Sequence, residues 1–291
     1  MTPSIALRLG RVSNLPTVWS NTLVGVALAG GELWTGTTLL LAVGLSLLYV
    51  AGMFLNDAFD REIDALERPT RPIPAGHVSA NAVFAAGFGL MLAGLAVVLL
   101  ASTARPENAV SAMLAALALA GAIVFYDWHH KGNPLSPLLM GLCRFLAYLT
   151  AGLAITASLP GSVLLAALVA LGYLIGLTYT AKQEALDRLG SLWPLIFLAS
   201  PVAYGLAAMI QGGSAVLTLA LAALVAWIGL ALYFLKRRNK GDVPKAVISL
   251  IAGIALVDAV FLAAVGQWLG TFAAAIFFLA TLALQRWVSG T

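Results

Sequence analysis

Ten apolar stretches, each long enough to cross a lipid bilayer, follow one another along this chain, at about residues 14–31, 37–57, 80–102, 108–126, 135–157, 161–181, 191–211, 214–235, 245–266 and 269–287. A helix crosses the hydrocarbon layer with about 17–25 such residues, and lipid leaves backbone polar groups no partner except one another. The stretches are continuously apolar, without the alternation of period two that a lipid-facing strand requires, so helices are expected rather than a barrel. Composition agrees: 61% of the 291 residues are hydrophobic and 10% charged, beyond the range of ordinary soluble domains. The expected fold is therefore all-α, a polytopic bundle of nine to ten spans forming one unit over residues 1–291. The last two stretches are separated only by residues 266–270, so one of them could lie at the interface instead.

The net charge of +4 does not point to nucleic acid, because the basic residues lie between apolar stretches and form no soluble patch. They mark topology instead. With the N-terminus on the cytoplasmic side, fourteen of the 16 Lys and Arg residues fall on that side; Arg105 is opposite and Arg144 lies within a span. Arg8 and Arg11 precede the first stretch, and no convincing cleavage site follows, so a retained first helix is expected. Cys143 is the single cysteine, which excludes an internal disulfide and fits a small core hydrophobe.

Acids gather at two breaks between spans. The first is "FLNDAFDREIDALERPTRPIPAG", residues 54–76, where five carboxylates and three arginines stand at the end of the second stretch. Asn56, Asp60 and Asp64 are four residues apart and share a helical face, whereas Asp57 and Glu62 point elsewhere; Pro69, Pro72 and Pro74 then stop the helix. A solvated, salt-bridged face would explain such charge. The spacing favours another reading. Carboxylate and amide oxygens suit Mg²⁺, which takes one or two carboxylates and completes its shell with water and substrate phosphates, and Arg68 and Arg71 stand beside them.

The stretch "NDAFDREIDALERPTRPIPAG" resembles the first aspartate-rich motif of the UbiA superfamily of intramembrane prenyltransferases, closest to its chlorophyll synthase and digeranylgeranylglyceryl phosphate synthase branches. The resemblance implies a helical bundle, usually of nine spans, that transfers a prenyl group from a prenyl diphosphate donor to a lipophilic acceptor with Mg²⁺ as cofactor. It implies metal ligands at Asn56, Asp60 and Asp64, with diphosphate contacts from Arg68 and Arg71. "YDWHHK" supplies Tyr126 and Lys131, and "LMGLCRFLAYLTAG" supplies Arg144, whose anion would be a diphosphate or, as a structural alternative, Asp127 or a helix end. The second motif reads "YTAKQEALD", giving Tyr179, Lys182 and Asp187, with Gln183 where relatives carry aspartate and Glu184 as an adjacent carboxylate. The resemblance thus assigns Asp60, Asp64, Asp187, Tyr126 and Tyr179 to the reaction centre, Arg68, Arg71, Lys131, Arg144 and Lys182 to diphosphate, and Asn56, Asp60, Asp64, Asp187 and Glu184 to metal. It is specific over roughly residues 50–190.

A multi-pass protein of a prokaryotic cytoplasmic membrane is expected, with donor, acceptor and lipids as partners and no nucleic acid. Gln183 keeps open a lipid-binding or assembly protein of this family without turnover. A secondary transporter would show internal repeats, and none is found. Asp258 is a lone acid within a span, serving either function or helix association; Asn14 and Asn21 would face the cavity or pack helices; His129 and His130 read as surface residues.

Overall fold

The computed structural model of the chain describes residues 1–186, 193–288 and 290, residues 183–186 by their backbone alone. Among these there are twelve α-helices and no strand. In chain order they are α1 (Pro3–Leu9), α2 (Leu15–Leu28), α3 (Gly36–Phe59), α4 (Arg61–Glu67), α5 (Ala80–Ser102), α6 (Ala109–His129), α7 (Ser136–Leu153), α8 (Gly161–Leu186), α9 (Ser200–Ile210), α10 (Ala215–Arg237), α11 (Asp242–Ala264) and α12 (Trp268–Leu284). Every apolar stretch expected from the sequence contains a helix, and in the seventh a 3-10 segment, Trp193–Ala199, precedes α9.

Eight described segments are long and apolar enough to cross a membrane. α2, with 14 residues, and α12, with 17, are shorter. Their starts follow local chemistry. Thr35, Ser79 and Ser214 each accept a hydrogen bond from the backbone N–H three residues on, at 3.2, 3.3 and 3.1 Å, satisfying a donor that the first helical turn leaves free. The second stretch does not run on as one helix through Asp64: α3 ends at Phe59, and Asp60 joins it to α4 with φ −78° and ψ −1°. Because the backbone bonds from Asp60 to Asn56 and from Asp64 to Asp60 persist across this joint, the three motif residues still follow one another along one side.

Lipid supplies no hydrophobic drive for helix association, so close packing and hydrogen bonds between helices must do that work. α11 is the axial element: 89% of its apolar stretch is buried, against 28% for α5, which has a broad face left for lipid. α2, α8, α10 and α12 pack around α11. Two glycines mark close helix crossings. A Cβ on Gly25 would stand 2.6 Å from Ala151 Cβ and 2.8 Å from the Tyr148 carbonyl, and one on Gly94 would stand 3.0 Å from the Gly44 carbonyl.

Polar side chains tie the axis to its neighbours. Asp258 of α11 is fully buried and accepts hydrogen bonds from Ser20 and Asn21 of α2, at 2.5 and 2.6 Å, and from Tyr148 of α7. The lone intramembrane acid of the sequence therefore has three donors and binds helices together. An unmatched carboxylate there would be prohibitive.

Replacing Gly25 by alanine should lower the apparent melting temperature in detergent, by the equivalent of about 1–3 kcal/mol for overpacking. Gly121→Ala, where no atom lies within 4 Å of the added Cβ, should leave it unchanged or slightly raised. Equal responses of the two variants would show that the α2–α7 crossing is looser than described.

Candidate active site

At one end of the bundle the last turn of α3, α4 and the proline-rich segment after it meet the corner between α1 and α2 and the end of α6. Ion pairing organises this end. Asp57 accepts hydrogen bonds from Arg11 at 3.1 Å and from Arg71 at 3.2 Å, and Arg71 reaches Asp64 at 2.6 Å. Arg11 also donates to the Asn56 side-chain oxygen at 3.4 Å. Asp57 is thus a clamp between two arginines that come from opposite flanks of the motif, rather than a residue turned elsewhere.

Arg11 adopts φ 41° and ψ 47°, a left-handed conformation that costs a non-glycine residue on the order of 1–3 kcal/mol and persists where its surroundings hold it. Its guanidinium contacts supply that hold. Sequence reading used Arg11 only as a topology marker; its spacing from the motif, 45 residues, left no local signal.

Asp60 lies 3.4 Å from His130 and 3.6 Å from Lys131, and Lys131 is 3.9 Å from Glu67. Burial pushes the Asp60 carboxyl up. The hydrogen bond and charge of His130, then the charges of Lys131 and Arg71, outweigh burial and hold it below its ordinary value. A lowered pKa means that its stabilising contribution is in place above the ordinary carboxylate value and is lost as the pH falls through the lowered one. His130 is only 13% exposed at its side chain and stacks on Tyr126 with ring centroids 4.8 Å apart, so the surface assignment holds for the exposed His129 and not for His130.

The other sequence-selected residues divide. Lys131 pairs with Asp60 and Tyr126 stacks on its other partner, His130, whereas Arg68 is exposed and forms no ion pair among the described residues. Lys182 donates to the Asn133 carbonyl at 2.7 Å, which ties α8 to the loop after α6. Tyr179 is half-buried on α8. Asp187 lies outside the described residues, as do the side chains of Gln183 and Glu184.

Arg144 pairs with neither Asp127 nor a motif acid. Its guanidinium donates to the Asn21 side-chain oxygen and to the Thr17 carbonyl, at 3.3 Å for the latter. Asp127 turns to the motif: it accepts from the Asn56 amide nitrogen at 3.2 Å. Among the described residues, two buried carboxylate oxygens, one on Asp64 and one on Asp127, have no hydrogen-bond partner.

Next to this end lies an apolar cavity, open on one side, walled by α2, α3, α6, α7 and α8 and lined by Tyr49, Met53, Tyr126, Asp127, Met140 and Arg144 among others. Among the described residues no group of three His, Cys, Asp or Glu side chains is placed to hold a metal ion. The buried Asp64 oxygen that has no partner among the described residues is a hard donor of the kind Mg²⁺ takes beside water and phosphate oxygens. The residues present fit such an ion.

The description "UbiA prenyltransferase family" matches residues 18–251. Among curated relatives, the digeranylgeranylglyceryl phosphate synthase of Methanoregula boonei is 51% identical over 75 residues, 26% of each chain. That of Methanopyrus kandleri is 33% identical over 133 residues, 44% of this chain and 45% of the relative. The chloroplastic chlorophyll synthase of Oryza sativa subsp. japonica is 38% identical over 87 residues, 28% of this chain and 22% of the relative. The chain thus spans less than half the length of these relatives. Two solved structures share the fold. The apo structure of a UbiA homologue from Aeropyrum pernix K1 has a TM-score of 0.65 at 20% identity, covering 87% of this chain and 96% of the other. The structure of a UbiA homologue from Archaeoglobus fulgidus, bound to GPP and Mg²⁺, has a TM-score of 0.50 at 15% identity, covering 97% and 99%.

Arg11→Ala and Asp57→Ala should each destabilise the protein, and the double variant should lose less than the sum. The expected coupling is about 0.5–3 kcal/mol, read from unfolding in mixed micelles. Strict additivity would remove the clamp from this account.

Proposed function

This chain belongs to the UbiA prenyltransferase family, and from that premise we propose that it carries out Mg²⁺-dependent transfer of a prenyl group from a prenyl diphosphate to a lipophilic acceptor within the membrane. The observation that carries the reading is the ion-paired end of α3 and α4, with a free Asp64 oxygen, opening beside an apolar cavity. Charge for a diphosphate and room for a hydrocarbon tail stand next to each other.

Asn56, Asp60 and Asp64 would hold the ion, with Asp187 and Glu184 contributing from the second motif. When bound, Mg²⁺ offsets the negative charge that develops on the leaving diphosphate. Arg71 and Lys131, already turned toward the motif acids, would exchange part of that pairing for phosphate oxygens, and Arg11 would join them. Arg68, exposed beside them, and Lys182, at the mouth of α8, supply further positive charge. Arg144 faces the cavity rather than the motif and would meet the deeper part of the bound substrates. Tyr126 and Tyr179 would present aromatic faces to the allylic carbon as its bond to oxygen breaks, since a ring face attracts positive charge. The apolar walls exclude water, which would otherwise capture that carbon. The prenyl tail and acceptor then reach the site from the lipid of a prokaryotic cytoplasmic membrane.

One feature favours a second reading, a binding or assembly protein without turnover: Gln183 places a neutral amide where the second motif carries a carboxylate, weakening charge compensation for the ion.

Purified protein in nanodiscs, given radiolabelled geranylgeranyl diphosphate and a panel of lipid acceptors, separates the two. Transfer that requires Mg²⁺ and stops on chelation is expected; tight donor binding with no transfer to any acceptor would select the second reading. Asp60→Ala should abolish Mg²⁺-dependent donor binding, and unchanged binding in that variant would refute the metal assignment. Gln183→Asp should strengthen metal dependence, read as a lower Mg²⁺ concentration for half-maximal donor binding.

A further inference from the structure

One amide links the axis of the bundle to the cavity wall. Asn21 of α2 is fully buried between Asp258 of α11 and Arg144 of α7. Its nitrogen gives one hydrogen to the Asp258 carboxylate at 2.6 Å and the other to the Tyr148 oxygen at 3.0 Å, while its own oxygen accepts from the Arg144 guanidinium. Tyr148 has spent its single hydrogen on Asp258, so its oxygen only accepts here. We propose that Asp258, acting through Asn21, is a positioning residue for Arg144 in substrate binding. The carboxylate dictates which end of the amide faces the wall, and so holds the guanidinium ready for an anionic group of a bound prenyl substrate; this rests on the transferase reading above.

The two ends of an asparagine amide are nearly alike in size, so shape leaves both orientations open and hydrogen bonding chooses between them. An ionised carboxylate accepts and cannot donate. Turning the Asn21 amide over would set its oxygen against the Asp258 and Tyr148 oxygens and its N–H groups against the guanidinium, mismatches that are costly in a buried site. Tyr148 and Arg144 stand four residues apart on α7 and so share the face turned to α2. One turn along α2 from Asn21, Gly25 marks the tight crossing with α7, where an added Cβ would lie 2.8 Å from the Tyr148 carbonyl. Bracing of α11 is already met by Ser20 and Tyr148, which donate to the two carboxylate oxygens of Asp258 between them. What the Asn21 link adds is a cation at the cavity. Arg144 has no acid among its partners: besides Asn21 it meets the Thr17 carbonyl at 3.3 Å and the Thr17 hydroxyl at 3.4 Å. Its Nε takes no partner among the described residues, and the side chain forms part of the cavity wall. A guanidinium fixed in this way has less freedom to lose when a ligand arrives.

Direct binding to the full chain in nanodiscs tests this with two tritiated anionic prenyl lipids, geranylgeranyl diphosphate with Mg²⁺ and digeranylgeranylglyceryl phosphate. Arg144→Gln should weaken one or both about tenfold or more, the worth of a hydrogen bond to a charged group. Asp258→Asn keeps the shape but lets the Asn21 amide turn over, and should weaken the same lipid or lipids by about fivefold or more. In the Arg144→Gln background Asp258→Asn should change binding by less than about twofold, because the group it positions is gone. Combining Asn21→Asp with Asp258→Asn returns an acceptor-only group to the link, facing Arg144, and should bring binding back to within about threefold of the wild type. If Asp258→Asn fails to fold, Asn21→Ser takes its place, since it cuts the link and leaves Ser20 and Tyr148 on the acid. The proposal falls if the wild type binds neither lipid, or if Arg144→Gln or Asp258→Asn binds both as tightly as the wild type. It falls equally if the loss from Asp258→Asn is undiminished in the Arg144→Gln background, as a mere brace between helices would give, or if the combined variant binds no better than Asp258→Asn alone. Failure of the transferase reading would show separately, as donor binding by the wild type that is absent or indifferent to Mg²⁺.

Discussion

Charge inside an apolar helical bundle is tolerated only where it is matched, and the arrangement around Asp57 is where this chain meets that constraint. A carboxylate that is 9% exposed at its side chain draws in Arg11 from one flank and Arg71 from the other. The first contact fixes the corner between α1 and α2; the second folds the proline-rich segment back over α4. The ion pairs act together with apolar packing, for Leu9 of α1 and Ile73 of the proline-rich segment cluster with Phe54 and Ala58 at the end of α3. Asp60 repeats the principle toward α6 through His130 and Lys131, and Asp258 repeats it at the bundle axis through neutral donors.

The matching is incomplete in a particular way. Among the described residues, Asp64 at the ion-paired end and Asp127 on the cavity wall each keep one buried oxygen without a partner. The two differ in surroundings. Asp64 lies among motif residues and is paired with Arg71, whereas Asp127 borders an apolar wall. Buried groups of this kind concentrate where a ligand completes the pairing.

Much of the architecture was legible in the sequence because it follows from local constraints. Continuous hydropathy gives helices, and the residues that cap and stop them stand next to the apolar runs. The spacing of Asn56, Asp60 and Asp64 gave the shared side even though Asp60 proved to be a joint between two helices. What escaped was non-local. Arg11 lies 46 residues from Asp57, and Asn21 lies 237 residues from Asp258, so no window of sequence contains either pair. Arg144 was legible as a buried cation needing a partner, but its partner is an amide rather than an acid. Asp127 stood in plain sight after Tyr126; only the packing of α6 against α3 showed that it faces Asn56 and a cavity instead of Arg144.

The sequence by itself determined an all-helical membrane protein with one acidic half-site at a helix end, because hydropathy, helical period and metal-ligand chemistry act over a few residues. The tertiary structure decided which cations face that half-site, which acid is spent on holding helices together, and which keeps an oxygen free. Those outcomes depend on where separate helices touch, and in lipid that is set by the fit of small residues and buried polar groups across the whole bundle.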